Sequence, residues 1–372
     1  MTLSVCMIVR DEAPVLERCL DSLRAVWDEL IVLDTGSTDE TPEIARRYTD
    51  KVFFMPWEDD FAAARNRAFS YATGDWILSI DADEYLSPQS VAAMLELKQT
   101  LTDQVDYVRV GFRFSGQGER GEMMREKLVR RARKPMWKGR VCEYLDIAPD
   151  WRGLTRRDIT IIHDKLRVND PGRNLRILQA LRASGDTSPR TLYALCMALN
   201  TAERYSDIPE VYAQLMATRE SGYLYECLES YLHALKQLGR MEERLPALSL
   251  LLEIAQPTAY LCCQMGQWFL DHGKAQTAAG WYTLALHTPC REPETLSQHP
   301  GYDSWVPHLR LCRCYAALGN FTAAWEHNEK AAGSLPDSRI IEQNRRVLRK
   351  HLTRGDSAID SKQQNQGGYR HE

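Results

Sequence analysis

Between residue 1 and about residue 115 the chain alternates short apolar runs with segments whose apolar residues recur three and four positions apart, and few folds accept that alternation. Residues 4–9 read as a short strand. In 14–26, Val15, Leu16, Cys19, Leu20 and Leu23 share one face of a helix. Residues 30–33 make a second strand, and Ser37 with Glu40 predicts a capping box for a helix running to about Tyr48. A third strand at 51–55, a helix at 60–72 stopped by Gly74, and a fourth strand at 76–80 follow. Repeated strand–helix units of this kind build a parallel sheet with helices on both faces. Residues 107–114 then alternate, with Val108, Val110, Phe112 and Phe114 on one side and Arg109 and Arg113 on the other. That pattern predicts a half-exposed strand antiparallel to the rest.

Past about residue 167 the pattern becomes almost wholly helical. Asp170 and Pro171 supply an N-cap and a first helical position. Gly239 and Gly273 occupy similar contexts 34 residues apart (273 − 239), the period of tetratricopeptide repeats. Met265, Gly266, Phe269, Ala278, Tyr282, Ala285 and Pro289 fit one such unit. Leu311, Tyr315, Gly319, Ala324, Ala331 and Pro336 fit a later one, with an insertion around 290–304 between them. Small residues let paired helices approach, and aromatic residues fill the space between pairs. An irregular helical bundle is the competing architecture. The expected organisation is an α/β domain over 1–167, a connecting helix over 168–186, an all-α repeat domain over 187–352 and a polar, disordered tail over 353–372.

Composition narrows the functional classes. A chain of 372 residues exceeds one ordinary core, and its 44% hydrophobic and 26% charged residues are those of a soluble globular protein. A net charge of −4 gives no reason to expect nucleic acid or an anionic membrane as partner. No run approaches the roughly 20 apolar residues of a membrane span, and the first apolar stretch lacks a preceding basic region, so the protein is expected in the cytoplasm. The ten cysteines are scattered, and many fall in apolar periodic segments, as Cys19, Cys196 and Cys263 do. Cys312 and Cys314 are two apart with no second pair to complete a zinc pattern.

The sharpest chemical feature is Leu78-Ser79-Ile80-Asp81-Ala82-Asp83-Glu84, an apolar strand followed by three carboxylates within four residues. Acids gathered at the carboxyl end of a parallel strand repel one another unless a cation joins them, and that edge is where open α/β sheets bind ligands. Magnesium or manganese takes oxygen ligands and commonly bridges protein carboxylates to phosphates. A solvated turn is the plainer reading. Asp34, at the end of the second strand, can accept hydrogen bonds from ribose or base groups. Gly36 permits a tight turn there, and Ser37 and Asp39 are also ordinary helix caps. Arg10, Asp11 and Glu12 add polar groups at the end of the first strand. Arg65 or Arg67, in the helix over 60–72, can meet a diphosphate, although Arg67 reads better as a surface residue.

Four segments in this order, VCMIVRDEAPVLERCLDSL, DELIVLDTGSTDET, FAAARNRAF and GDWILSIDADEYL, resemble family 2 glycosyltransferases of the GT-A fold, over roughly residues 3–183. Within that family the chain is most similar to the members with an appended tetratricopeptide-type region, which include the sublancin-type peptide S-glycosyltransferases. The resemblance implies inverting transfer of a sugar from a nucleotide diphosphate sugar, usually a UDP-sugar. It implies that Asp34 and its neighbours bind the nucleotide, that Arg65 approaches the diphosphate, and that Asp81 and Asp83 form a DxD element with Asp83 the more direct metal ligand. His163, in Ile161-Ile162-His163-Asp164, resembles the residue that returns to the metal or diphosphate. Relatives often carry His-Glu where this chain has Cys142-Glu143. Glu143 is the first candidate for catalytic base, with Asp146 and Glu122 as rivals.

A divalent metal, magnesium or manganese, is therefore the expected cofactor and a nucleotide sugar the expected donor. The repeat domain suits a peptide or protein acceptor bearing Cys, Ser or Thr, or else a homodimer contact. A surface polysaccharide or lipid-linked glycan is a second acceptor class. Nucleotidyl transfer is disfavoured because no glycine follows the first strand, and a repeat scaffold with a degenerate catalytic domain is the non-enzymatic alternative. The basic stretch from Arg120 to Arg140 reads as a solvated face or mobile loop, with a flap over the diphosphate as the sharper option.

Overall fold

The structure, a computed structural model, describes residues 1–116, 123–164, 170–288, 301–335 and 338–364, with side chains as far as Thr353. It divides into two compact units, Met1–Leu215 and Met216–Glu372.

The first unit contains β1 (Leu3–Val9), α1 (Ala13–Leu23), β2 (Glu29–Asp34), α2 (Thr41–Arg46), β3 (Val52–Phe54), α3 (Phe61–Ser70), β4 (Trp76–Ser79) and β5 (Glu84–Leu86). Then come α4 (Pro88–Thr100), β6 (Tyr107–Phe114), β7 (Met123–Arg130), the short pair β8 (Trp137–Lys138) and β9 (Tyr144–Leu145), β10 (Gly153–His163), α5 (Arg173–Ala183) and α6 (Pro189–Thr201). Eight strands form one sheet in the order β3-β2-β1-β4-β7-β6-β10-β5. The first four are parallel neighbours. β7 runs antiparallel to both β4 and β6, β10 is parallel to β6, and β5 is antiparallel to β10.

Alternation along β1 sorts the core into two layers. Val5, Met7 and Val9 pack with Leu16, Leu20 and Leu23 of α1 and Met94 of α4, while Cys6 packs on the other face with Ala64 and Ala68 of α3. α/β architecture follows, with a mixed sheet.

Several local expectations are corrected. β6 is not antiparallel to the parallel half: β7 intervenes between it and β4, so β6 and β4 run the same way. Nor is it half-exposed, since Tyr107, Val108, Val110, Gly111 and Phe112 are all buried. Ser37 caps no helix, because α2 starts after Glu40 and has no side-chain cap. α3 ends at Tyr71 rather than at Gly74. Gly74 lies against β1 instead, where an added Cβ would come within 2.9 Å of the Ser4 backbone nitrogen. α5 begins after Gly172, two residues beyond the predicted cap at Asp170.

The basic stretch is largely part of the sheet's framework. Lys127 binds both oxygens of buried Glu84 at 2.7 and 2.8 Å. Arg130 donates to Asp103 and to the carbonyls of Thr102 and Val105, and Arg131 donates to the Gly74 carbonyl. Arg133 binds Asp106 through two nitrogens at 2.9 and 3.0 Å.

The second unit is all-helical: α8 (Ser221–Gln237), α9 (Arg244–Ile254), α10 (Ala259–Asp271), α11 (Ala275–His287), α12 (Trp305–Ala317), α13 (Phe321–Ala332) and α14 (Arg339–Gln364), while α7 (Ile208–Thr218) crosses the division. Gly239, Gly273 and Gly319 each follow a helix end with φ of +70°, +72° and +76°, the left-handed turn that glycine adopts without strain. At Gly266 an added Cβ would meet the Tyr282 ring at 2.9 Å, so α10 and α11 touch where the sequence pairs small with aromatic. Pro289, Pro336 and residues 290–300 of the insertion lie outside the described residues, as do 365–372 of the expected tail; α14 is helical to Gln364. Among the described residues no helix is long and apolar enough to cross a membrane.

Candidate functional site

The chain passes from β1 to β2 and β3 on one side, then returns to β4 on the other. That reversal leaves a crevice at the carboxyl ends of β1 and β4, the usual ligand position in such sheets. Val9 is in register with Asp34, and Cys6 with Ser79, so the segments after β1, β2 and β4 emerge at one edge.

Two of these loops are laced together. Buried Asp34 accepts hydrogen bonds from the Gly36 and Ser37 backbone nitrogens and, at 2.5 Å, from the Ser37 hydroxyl. Ser37 Oγ in turn accepts from the Asp11 nitrogen at 3.0 Å. The Asp11 carboxylate accepts from Thr38 N at 2.6 Å, and Asp11 takes a left-handed backbone, φ +54°, to do so. Asp39 accepts from Ala13 N at 3.2 Å and Thr41 Oγ1 accepts from Glu12 N at 2.8 Å, fixing the start of α1. Glu12 thus precedes α1 at the edge, and Arg10 beside it is exposed.

The carboxylates after β4 occupy different surroundings. Asp60 caps α3 by accepting from Ala63 N at 2.9 Å, and Ala64 and Ala68 seat that helix on the sheet. Arg65, on the same helix, is 9% exposed and reaches two acids. Its Nη1 is 2.8 Å from Asp81 and its Nε 2.7 Å from Glu143, with its guanidinium 5.0 Å from the Trp137 ring centroid. Burial alone would raise the Asp81 pKa, but Arg65 and then Lys127 hold it well below the usual carboxylate range. Glu84 is pushed up by burial, which outweighs its bond to Lys127.

Asp83 is buried and belongs to a separate pair. β5 and β10 place Glu84 opposite His163, and His163 Nδ1 lies 3.4 Å from Asp83 Oδ1. That Nδ1 is buried and makes no hydrogen bond. An imidazole nitrogen without a hydrogen bond beside a carboxylate is a donor pair that suits manganese, while magnesium would draw on the carboxylate alone, with water and phosphate at the other positions. Among the described residues no three His, Cys, Asp or Glu side chains converge as a complete metal cluster. Asp81 is engaged by Arg65 instead.

Glu143 follows Cys142, which has φ +54° and is exposed. The Cys142 carbonyl accepts from Arg190 of α6 at 2.6 and 3.1 Å, and the Arg190 guanidinium lies 4.0 Å from the Tyr144 ring centroid. Asp146, a rival base, forms an exposed ion pair with Lys138 at 2.6 Å. Glu122, the other rival, lies outside the described residues. Arg67 is exposed and lies over Tyr71. Sequence reasoning placed Lys127 only within the basic stretch and missed its bond to Glu84, and it missed Arg190, whose contacts with Cys142 and Tyr144 arise from the tertiary fold.

The family model described as glycosyl transferase family 2 matches residues 4–159. A TPR repeat-containing protein of Synechococcus elongatus is 48% identical over 120 residues, 29% of this chain and 30% of that protein. The SPbeta prophage-derived glycosyltransferase SunS of Bacillus subtilis is 34% identical over 102 residues, 27% of this chain and 24% of that protein. The chain thus spans less than a third of the length of these two curated relatives. Among solved structures, a Mycobacterium tuberculosis glucosyl-3-phosphoglycerate synthase with Mn2+, UDP-glucose and phosphoglyceric acid is similar at a TM-score of 0.35 and 21% identity, covering 50% of this chain and 80% of that one. S. aureus TarS with UDP is similar at 0.36 and 15%, covering 66% and 83%. On that match, residues 4–159, less than half of the chain, are similar to glycosyl transferase family 2.

Proposed function

We propose that the protein transfers a sugar from a nucleoside diphosphate sugar, a UDP-sugar by family resemblance, to an acceptor hydroxyl or thiol, with inversion. The observation that carries this reading is the joining of Asp83 and His163, 80 residues apart in sequence (163 − 83), beside the Asp81–Arg65–Glu143 chain of ion pairs. The nucleotide sugar would lie along the loops of Asp34, Ser37, Arg10 and Glu12, with its nucleoside on Asp34 and Ser37. Asp83 and His163, with Asp81 flanking them, would hold a divalent metal, which when bound offsets charge on the departing diphosphate. Glu143 gives Oε1 to Arg65 and leaves Oε2 to take the acceptor proton. A thiol acceptor, with a pKa near 8.5, demands less of that base than an alcohol. A peptide or protein acceptor held by the helical unit is part of the same proposal.

The pairing of Arg65 with both Asp81 and Glu143 also favours a second reading, a helical scaffold whose catalytic domain has fallen silent. One experiment separates them: thermal shift and UDP release with a panel of UDP-sugars, with and without manganese, on the wild type and Asp83→Ala. The enzyme reading expects one sugar nucleotide to raise the melting temperature with metal and to release UDP, and Asp83→Ala to lose the metal-dependent turnover while melting normally. Undiminished turnover in Asp83→Ala would remove the metal role. Absence of any shift or release in the wild type would leave the scaffold.

A further inference from the structure

A diphosphate must be met by cations, and Arg65 was the natural candidate from the sequence. Its charge is already matched by two carboxylates, Asp81 at 2.8 Å and Glu143 at 2.7 Å. Placing a phosphate there would mean displacing one of them.

Arg173, the first residue of α5, has the opposite situation. Its guanidinium carbon lies 4.6 Å from the Phe61 ring centroid and 5.6 Å from that of Trp57, and those rings meet edge to face at 4.7 Å. The two aromatic faces hold the side chain without neutralising it. Its Nε is buried and makes no hydrogen bond. Asp170, the acid it feels most strongly, is taken through both oxygens by Arg176 at 3.0 and 2.5 Å. Among the described residues no carboxylate forms an ion pair with Arg173.

Its place is next to the proposed chemistry. Phe61 is one helical turn before Arg65 on α3, and residues four apart on a helix are neighbours. The Phe61 nitrogen donates to the Arg140 carbonyl at 3.0 Å, tying that turn to the segment that carries Glu143. Arg173 lies within electrostatic reach of Arg10, Glu12 and Glu143. Burial lowers its pKa, Asp170 opposes, and Arg10 lowers it further. A partly dry guanidinium without a counter-ion, near a second arginine, is costly on both counts, and one bound anion relieves both.

We propose that Arg173 and Arg10 form the anion-binding wall of the donor cleft and take the diphosphate of a nucleoside diphosphate. The inference rests on the donor-binding reading above. It assigns part of the cleft to a residue 14 positions beyond the matched segment (173 − 159). Arginine is suited to the task because its planar fork binds two phosphate oxygens at once.

The test is calorimetric titration of the full chain, metal removed by chelator, with UDP, GDP and uridine as probes. Arg173→Met keeps an apolar stem on the Phe61 and Trp57 rings and removes the charge; Arg10→Ala changes an exposed residue. Each variant is expected to weaken the preferred nucleoside diphosphate about tenfold or more, leave uridine unchanged, and flatten the salt dependence of diphosphate binding. Wild-type affinity for the diphosphate in folded Arg173→Met overturns the inference while the donor-binding reading survives. If Arg173→Met does not fold, Arg10→Ala decides by the same criterion. A wild type that binds neither UDP nor GDP, with manganese restored as well as without it, overturns the donor-binding reading, and the inference with it.

Discussion

Arg65 shows how much one side chain can determine here. It is buried and bonded to Asp81 and Glu143, so its removal strips Glu143 of its ion-pair partner and leaves Lys127 as the strongest remaining cation acting on Asp81. Arg65→Ala is expected to destabilise the fold by about 3 kcal/mol, the order of cost for breaking a buried ion pair from one side. Denaturant unfolding would show it, and a loss below about 1 kcal/mol would mean the pairs are open in solution. Glu143→Gln keeps a hydrogen-bond acceptor for Arg65. It should therefore melt near the wild type, retain UDP binding, and slow transfer to an alcohol acceptor by about 10²-fold or more if Glu143 is the base. The Asp34, Asp81 and Asp83 positions could be read from the sequence because each lies at or within a few residues of the end of a strand that an apolar run marks. The Arg65–Glu143 contact could not, because it joins residues 78 apart (143 − 65) that only the folded sheet brings together.

At the scale of elements, β1 to β4 were legible because each is an apolar run between helical segments. β7 was not. Its sequence, MMREKLVR, has charges where a central strand usually has aliphatics, and Lys127 is accommodated by a buried partner, Glu84, that sequence order does not indicate. β10 escaped for the same reason, with Arg156, Arg157 and Asp158 in its middle. In the helical unit the glycines were the readable sign, and they make two separable predictions. Gly266→Ala puts a methyl against the Tyr282 ring at 2.9 Å and should cost about 1–3 kcal/mol by overpacking. Gly273→Ala meets nothing within 4 Å, but its φ of +72° should cost about 1 kcal/mol through the backbone alone. Calorimetric melts of the two variants would distinguish them; equal losses would contradict the close helix contact at Gly266.

Across the whole molecule, acid should act first on an identifiable pair. His308 Nδ1 of α12 lies 2.9 Å from His327 Nδ1 of α13, and His327 stacks on Tyr315. Burial, then His327 and Lys330, lower the His308 pKa to about 4. Burial and Lys330 lower that of His327, with Glu326 opposing. Both rings are thus favoured neutral in the fold, while in the unfolded chain they protonate near pH 6.5. Stability from this pair is full above that value and is lost as the pH falls toward 4. The melting temperature should drop between pH 7 and pH 5 more steeply in the wild type than in His308→Gln/His327→Gln; parallel curves would exclude the pair. A different consequence follows from the pairing of β5 with β10, which sets Glu84 opposite His163 across 79 residues (163 − 84). During synthesis at about 5–20 residues per second, β1 to β4 leave the ribosome several seconds before the strand that completes the edge beside Asp83. Such a distant closure comes late in folding, so a nascent chain holds the laced loops after β1 and β2 before the strand that carries His163 arrives, and on the proposed reading it grips no donor until then.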